Sequence, residues 1–114
     1  MIAVIFEVIP AAGHKQDYLD IAASLKPYLE TIDGFVSVER FQSLANPDKF
    51  LSLSIFRDEQ AALAWRSAPE HRKAQSAGRN GVFADYRLRV ASVIRDYGLN
   101  ERAQAPTDSK EKHG

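Results

Sequence analysis

FVSVERFQSLANPDKFLSLSIFR, residues 35–57, decides the fold because it reads as two strands joined by one tight turn. Residues 35–44 alternate apolar and polar side chains at the two-residue period of a strand, and residues 49–57 form a second strand of mostly apolar side chains. Between them, ANPD at 45–48 contains the asparagine, proline and aspartate that favour a turn. The stretch therefore predicts an antiparallel β-hairpin.

The sequence before the hairpin predicts a strand followed by a helix. IAVIFEVI at 2–9 is an apolar, β-branched run closed by Pro10, with Glu7 as its one charged residue. From 14 to 32, apolar residues recur at three- and four-residue steps, which is typical of an amphipathic helix. Pro27 lies inside this segment, so we expect it to kink or divide the helix.

The sequence after the hairpin predicts two helical segments and a last strand. Asp58 can cap a helix whose apolar side includes Trp65, and Pro69 suits the first turn of a second segment. Residues 82–98 then predict a long strand of alternating side chains. The alternation breaks after Val90, at Val93 and Ile94, which predicts a bulge or a bend there.

The predicted element order is β-α-β-β-α-β over residues 1–98. With right-handed crossovers this is an α+β, ferredoxin-like fold with a four-stranded antiparallel sheet, in which the first and third strands are central. Two helical regions cover only one face of such a sheet, so we expect a homodimer formed through the open sheet face. Residues 99–114 form a polar C-terminal tail, which we expect to be mobile or to contact the partner subunit.

Composition excludes several classes of protein. The 114 residues include 15 basic and 15 acidic side chains, and this zero net charge argues against a general nucleic-acid binder. The absence of cysteine excludes disulfides, thiolate metal sites and cysteine nucleophiles. The apolar N-terminal run is too short to span a bilayer and lacks a basic leader, so we expect a cytoplasmic protein with no membrane partner. The histidines show no metal-ligand spacing, and no metal is expected.

Three polar or aromatic side chains are candidates for chemistry, each with a structural alternative. Trp65, the only tryptophan, either anchors the core or lines a cavity between helices and sheet. His71 either lies on a solvated helix face or acts as a base or an axial haem ligand. Glu7 on a doubly covered strand either forms an ion pair at the dimer seam or is a general base with a raised pKa. Its candidate partners are Arg40, Arg87, Arg89 and His71.

The layout resembles the antibiotic biosynthesis monooxygenase domain of the dimeric α+β barrel superfamily. The stretches concerned are IDGFVSVERFQSL, LSLSIFRDEQAALAWR, EHRKAQ and DYRLRVASVIRDYG. The recurrent features of the family are a strand ending in an aromatic residue, a short turn into a helix, a tryptophan on that helix and a histidine shortly after it. In this sequence these features correspond to Phe56, Asp58, Trp65 and His71.

The resemblance implies a small monooxygenase that oxidises a phenolic or quinol-type aromatic substrate with O₂ and uses no bound cofactor. It implies a substrate pocket walled by Phe56 and Trp65, with His71 or Glu7 as the base. The alternatives are a haem-binding or haem-degrading protein of the same fold, or a dimer that binds a small ligand without turnover. The first strand lacks the asparagine of the haem-degrading relatives, and the spacing from tryptophan to histidine is shorter, which argues against haem degradation.

Overall fold

The computed structural model describes the backbone of residues 1–113 and the side chains of these residues apart from Arg79 and His113. Its strands are β1 (Ile2–Pro10), β2 (Phe35–Gln42), β3 (Phe50–Phe56) and β4 (Phe83–Ser92). Its helices are α1 (Lys15–Leu29), α2 (Glu59–Arg66), α3 (Pro69–Ala77) and α4 (Thr107–His113). The predicted βαββαβ order is confirmed, with the second helical region divided into α2 and α3.

The four strands form one antiparallel sheet in the order β2-β3-β1-β4, so β1 and β3 are central as predicted. Phe6 of β1 lies opposite Ser52 of β3 on one side and opposite Leu88 of β4 on the other. β4 stays in register with β1 until Ser92 lies opposite Ile2, so it ends before the predicted residue 98. Of the predicted bulge or bend at Val93 and Ile94, the structure has the bend, at Ile94. The register shifts at the other end of β1, between Ile9 and Pro10.

The hairpin between β2 and β3 forms where the sequence predicts it. The Ser43 N–H donates to the Lys49 carbonyl at 2.9 Å and closes the turn. Inside the turn, the Asp48 N–H donates to the Asn46 side chain at 3.1 Å, which is the local bond that makes asparagine a favoured turn residue.

Helix α1 differs from its prediction at the C-terminal end. The predicted division at Pro27 is wrong, because α1 continues through this proline to Leu29. Pro27 lies in the last turn, where only a few residues of helix remain beyond it.

Two hydrophobic clusters fill the space between the helices and one face of the sheet, which we call the helix face. The first contains Val8, Tyr18 and Phe50, and the second contains Leu29, Phe56 and Ala61. Val4 and Phe6 pack against these clusters, so the even-numbered residues of β1 point to the helices. The central strands therefore supply the floor of the core.

The opposite side of the sheet, which we call the open face, is also largely apolar. Alternation places Ile5 of β1 and Leu51, Leu53 and Ile55 of β3 on this side, where they remain partly exposed. Phe41 of β2 lies opposite Leu51 and extends the same surface. The predicted open face is therefore present. Among residues 1–113, no helix is both long and apolar enough to cross a bilayer.

The chain after β4 forms a hook, residues 93–106, followed by α4. The Val93 N–H donates to the Met1 carbonyl at 3.0 Å and ties the start of the hook to the end of the sheet. Ala105, near its other end, is buried. The tail is thus folded in this structure.

Candidate functional site

Trp65 and His71 stack against each other at the junction of α2 and α3. Their ring centroids lie 4.9 Å apart with the planes inclined by 32°. Asp58 fixes the start of α2 by accepting the Ala61 N–H at 2.9 Å, and Pro69 occupies the first turn of α3. The break between the two helices brings together rings that are six residues apart in sequence.

The environment of His71 favours the neutral imidazole. Partial burial is the main factor that lowers the pKa of His71 below its ordinary value, and the nearby positive charge of Arg66 lowers it further. A contact of 3.4 Å between His71 Nδ1 and the Arg66 carbonyl acts in the opposite direction. His71 is therefore a side chain that can accept a proton near neutral pH.

The contacts of His71 also bear on its tautomer. A carbonyl can only accept a hydrogen bond, so the Arg66 contact places the proton on Nδ1 and leaves the lone pair on Nε2. The Gln75 amide nitrogen lies 3.4 Å from the same Nδ1 and would require the opposite tautomer. Rotation of the Gln75 amide by half a turn presents its oxygen to Nδ1–H and satisfies both contacts with the proton on Nδ1.

Trp65 and Phe56 belong to the same hydrophobic cluster. Trp65 is half-buried and packs with Val4 against the cluster of Leu29, Phe56 and Ala61. Phe56 is 0% exposed and contacts the ring of Phe35 edge to face at 6.2 Å. Trp65 thus has one side in the core and one side toward solvent, whereas Phe56 is a fully buried member of the cluster.

Next to this cluster, the helix face of the edge strand β4 is uncovered. Tyr86, Leu88 and Val90 lie opposite Val8, Phe6 and Val4 of β1, so they share the helix face. They are nevertheless 45%, 47% and 55% exposed, and we call them the β4 strip.

The β4 strip is exposed because the helical layer stops short of it. Helix α2 contacts β1 and β3, at the middle of the sheet. Phe6 links the core to the strip, since its ring lies 5.7 Å from that of Tyr86. The strip is therefore open apolar surface on the helix face of β4, and we take it as the floor of a candidate substrate groove. The sequence predicts that Tyr86, Leu88 and Val90 share one face of a strand. Only the position of the helices shows that no helix covers them.

Glu7 lies on the opposite side of the sheet from Trp65 and His71. Its carboxylate accepts a hydrogen bond from Arg89 Nη1 at 2.9 Å and lies 3.5 Å from Lys49 Nζ. The bond from Arg89 is the main factor that lowers the pKa of Glu7, and Lys49 contributes in the same direction. Of the candidate partners Arg40, Arg87, Arg89 and His71, the structure pairs Glu7 with Arg89. The sequence did not indicate the second partner, Lys49. The alternative prediction, a general base with a raised pKa, is therefore wrong for Glu7, because its pKa is lowered.

Two hollows lie away from the stacked rings. A cleft of about 560 Å³ separates the hook from the start of β1, and Met1, Ile94 and Arg102 are among its walls. A hollow of about 90 Å³ lies beside Glu7 and Lys49. Neither is lined by Trp65, His71 or Phe56. Among the side chains that the structure describes, no group of three or more acidic or histidine residues is arranged to hold a metal ion.

Comparison with known proteins places these features in context. The family model described as antibiotic biosynthesis monooxygenase matches residues 1–77. A curated protein of Pyricularia oryzae described as "Jasmonate monooxygenase ABM" is 44% identical over 113 residues, which is 98% of this chain and 53% of that protein. The chain thus spans about half the length of this relative.

Solved structures share the fold at low sequence identity. Rv0793 from Mycobacterium tuberculosis has a TM-score of 0.77 at 13% identity, covering 85% of this chain and 98% of its own. SnoaB from Streptomyces nogalater, described as a cofactor-independent oxygenase, has a TM-score of 0.73 at 9% identity, covering 83% of this chain and 94% of its own. Both support the α+β, ferredoxin-like fold.

Proposed function

Because the chain belongs to the antibiotic biosynthesis monooxygenase family, we propose that it is a small monooxygenase that needs no bound cofactor. Its substrate is a phenolic or quinol-type aromatic molecule, which lies in the groove beside the β4 strip and reacts with O₂. The observation on which this proposal depends is the stack of Trp65 and His71 at the edge of the helical layer. It sets a neutral imidazole next to apolar surface, where an acidic apolar substrate can bind.

We assign the role of base to His71. The substrate loses a proton from a phenolic O–H, or from a C–H group that it acidifies, to the free imidazole nitrogen. The resulting anion passes an electron to O₂, and the two radicals combine to a peroxide anion. This anion takes the proton back from His71 to give a hydroperoxide, which loses water. Overall a CH₂ group becomes C=O, one oxygen atom enters the product and the other leaves as water. The substrate supplies all four electrons.

The other predicted site residues have supporting roles. Trp65 forms the aromatic wall of the groove and holds the imidazole in place through the stack. Phe56 fixes Trp65 from the core side and does not itself contact substrate, since it is fully buried. Glu7 is a less suitable base than His71, because its lowered pKa makes it a weaker proton acceptor and it lies on the other face of the sheet.

A cyclopentanone carboxylate of the jasmonate type is the second candidate substrate. The relative that is 44% identical to this chain is described as a jasmonate monooxygenase. The C–H groups beside a ring ketone can lose a proton to the same base, so this substrate needs no different arrangement of the site.

We also propose that the working form is a homodimer joined through the open face. This face presents apolar side chains of two central strands, with Ile5, Leu53 and Ile55 at its centre. A contiguous apolar surface of this kind is rarely left in water by a monomeric protein. A second copy of the same sheet covers it with matching shape and chemistry.

Oxygen uptake tests the proposed activity directly. The purified protein is incubated with anthrones, hydroquinones and jasmonate in turn, and consumption of O₂ and formation of the oxidised product are followed together. We expect uptake with at least one of these classes, and a large loss of it in His71→Gln. A folded protein that consumes no O₂ above buffer with any of them contradicts the proposal.

Haem titration separates the proposed enzyme from the haem-binding alternative. The wild type and His71→Ala are titrated with haem while the Soret absorbance is recorded. We expect no saturable binding near one haem per chain. A stoichiometric complex that disappears in His71→Ala would instead favour a haem protein and contradict the cofactor-free mechanism.

A further inference from the structure

Three polar side chains lie together between α1 and the β2 side of the sheet. They are Tyr18, Arg40 and Ser52, and we call them the Arg40 site. Arg40 lies directly opposite Ser52 in the ladder of β2 and β3. Both are on the helix face, because Phe50 and Phe56, which share the side of β3 with Ser52, belong to the core clusters there. Tyr18 reaches them from α1, since Arg40 Nε donates to Tyr18 Oη at 3.1 Å.

The guanidinium of Arg40 is held in place but its charge is not neutralised. The bond to Tyr18 fixes the Nε side of the group, and Cζ lies 5.7 Å from the centre of the Tyr18 ring. Among the side chains that the structure describes, no carboxylate lies within 4.0 Å of Arg40, and its terminal nitrogens Nη1 and Nη2 have no acceptor. An arginine that one bond has already oriented loses less freedom when it binds a second partner.

The hydroxyl group of Tyr18 also has bonding capacity left. Its oxygen accepts from Arg40, but its proton has no acceptor among the described residues, although the side chain is only 3% exposed. Burial raises the pKa of Tyr18 above its ordinary value of 10.0, so the group stays protonated at neutral pH in spite of the nearby guanidinium. The Ser52 hydroxyl likewise has no hydrogen bond to a described residue. Buried donors without an acceptor are rare in folded proteins, which points to an acceptor from another molecule.

The surroundings of the site are positively charged. A second cation, Lys15 Nζ, lies 5.6 Å from the centre of the Phe50 ring, which is 5.8 Å from the ring of Tyr18. Lys15 has no carboxylate within 4.0 Å among the described side chains. The acidic residues at the start of α1, Asp17 and Asp20, are already bonded to side chains three and four residues away. The missing acceptor is therefore an anion.

The arrangement of the donors matches a carboxylate. Nε and one of the Nη groups share an edge of the guanidinium, and Tyr18 Oη already occupies the Nε end of that edge. A carboxylate oxygen bound to the adjacent Nη lies beside Tyr18 Oη and can accept its proton as well. The second oxygen is then available to the other Nη and to Ser52. These donors satisfy the two oxygens of one planar group, which together accept about four hydrogen bonds.

We propose that the Arg40 site binds the carboxylate group of a small organic acid. The site includes the edge strand β2, whereas the β4 strip is on the opposite edge of the sheet. It is thus a second site, and the inference does not rest on the proposed oxidation. A bound carboxylate bridges α1 and the hairpin of β2 and β3. Because it binds the folded chain, it also raises the stability of the protein by mass action.

An NMR titration of the full chain with benzoate tests the proposal. Benzoate replaces chloride at constant ionic strength, so that general screening of charges does not change. We expect saturable shifts of the Arg40 Nε–H signal and of the backbone amides of Tyr18 and Ser52. The dissociation constant should rise at least about 10-fold in Arg40→Gln, which removes the charged donors. Arg72→Gln, an exposed arginine of α3, is the matched control and should stay within about 2-fold of the wild type.

Two milder variants test the neutral donors separately. Tyr18→Phe keeps the ring in the core and removes only the hydroxyl group, and Ser52→Ala removes one hydroxyl group from a partly exposed position. Each should raise the dissociation constant of benzoate by about 2- to 10-fold, the usual effect of losing one hydrogen bond. Ser52→Ala also keeps the proposal testable if Arg40→Gln does not fold, which circular dichroism checks.

Three results would overturn the proposal. The first is a wild type whose signals do not saturate, or saturate at residues other than those of the Arg40 site. The second is a dissociation constant that is the same in Arg40→Gln, or in Ser52→Ala, as in the wild type. The third is inorganic phosphate that displaces benzoate and binds more tightly, since the site would then select a tetrahedral anion. Loss of benzoate binding with unchanged O₂ uptake in Arg40→Gln would support two separate sites.

Discussion

At the scale of single residues, the two ionisable candidates differ in the direction in which their surroundings shift the pKa. Burial and the charge of Arg66 favour the neutral form of His71, whereas the bond from Arg89 favours the charged form of Glu7. A neutral imidazole can accept a proton, while a stabilised carboxylate is better suited to an ion pair. This contrast is why we assign the chemistry to the first and an interface role to the second.

Replacing the proposed base should affect both the rate and its pH dependence. We expect His71→Gln to lower kcat about 10²- to 10⁴-fold, the usual contribution of a general base. The pKa of His71 is lowered, so in the wild type kcat/KM should fall on the acid side with a midpoint below the ordinary value of about 6.5. Kinetics from pH 5 to 8 with the variant and with His14→Gln as control check this. An unchanged profile in His71→Gln would contradict the assignment.

Removing the partner of Glu7 should alter stability in a pH-dependent way. The pKa of Glu7 in the folded protein lies below that of the unfolded chain, so the ion pair stabilises above the unfolded value of about 4.3 and is lost as the pH falls through the folded value. We expect Arg89→Gln to lower the urea midpoint at neutral pH and to match the wild type at pH 2.5. Arg72→Gln, an exposed arginine of α3, is the control. A difference that persists in acid would argue against this account.

At the scale of elements, the position of β4 depends on close packing at the turn that precedes it. Gly78 is buried at the end of α3, and a Cβ built there would lie 2.3 Å from the ring of Phe83. That ring cannot easily move aside, because it lies 5.7 Å from the ring of Phe6 and 5.8 Å from that of Tyr18. The contact therefore sets the spacing between α3 and the first residue of β4.

A methyl group at this contact should destabilise the protein. We expect Gly78→Ala to lower the free energy of unfolding by about 1–3 kcal/mol, the usual effect of overpacking a filled core. Gly98→Ala is the control, since nothing lies within 4 Å of a Cβ at that position. It should stay within about 0.5 kcal/mol of the wild type. Urea unfolding followed by circular dichroism measures both, and equal effects in the two variants would contradict the close approach.

Some features of these elements can be predicted from the sequence and others cannot. Alternation and turn residues predict the hairpin and the helix starts at Asp58 and Pro69, because these depend on neighbours along the chain. The central position of β1 follows from the element order and the rule of right-handed crossovers. Alternation does not predict that Leu88 is exposed to solvent, since its exposure depends on where α2 crosses the sheet. Nor does the spacing of six residues predict the stack of Trp65 on His71, because the angle between two helices sets it.

At the scale of the whole molecule, the two faces of the sheet have different uses. The helix face contains the core and the candidate groove, while the open face presents apolar surface that we propose a second copy covers. The charged pair of Glu7 and Arg89 lies within this apolar face, where it can fix the register of two sheets. Folding and association are thus expected to be linked.

Linked folding and association should make stability depend on concentration. When only the dimer is folded, a higher protein concentration favours it by mass action. We expect the urea midpoint and the Tm to rise steadily as the concentration of chains is raised from 1 to 100 μM. Scanning calorimetry across this range is the measurement. A Tm that does not change with concentration would contradict an obligate dimer.

The stack of Trp65 on His71 gives the protein a built-in optical reporter. Protonated imidazole accepts an electron from excited indole far more readily than neutral imidazole does, so it quenches indole emission at contact distance. Since Trp65 is the only tryptophan in the chain, all of the indole emission comes from the residue that touches His71. A fluorescence titration should therefore read the charge of this histidine directly, and ligands that part the two rings should be visible as they bind.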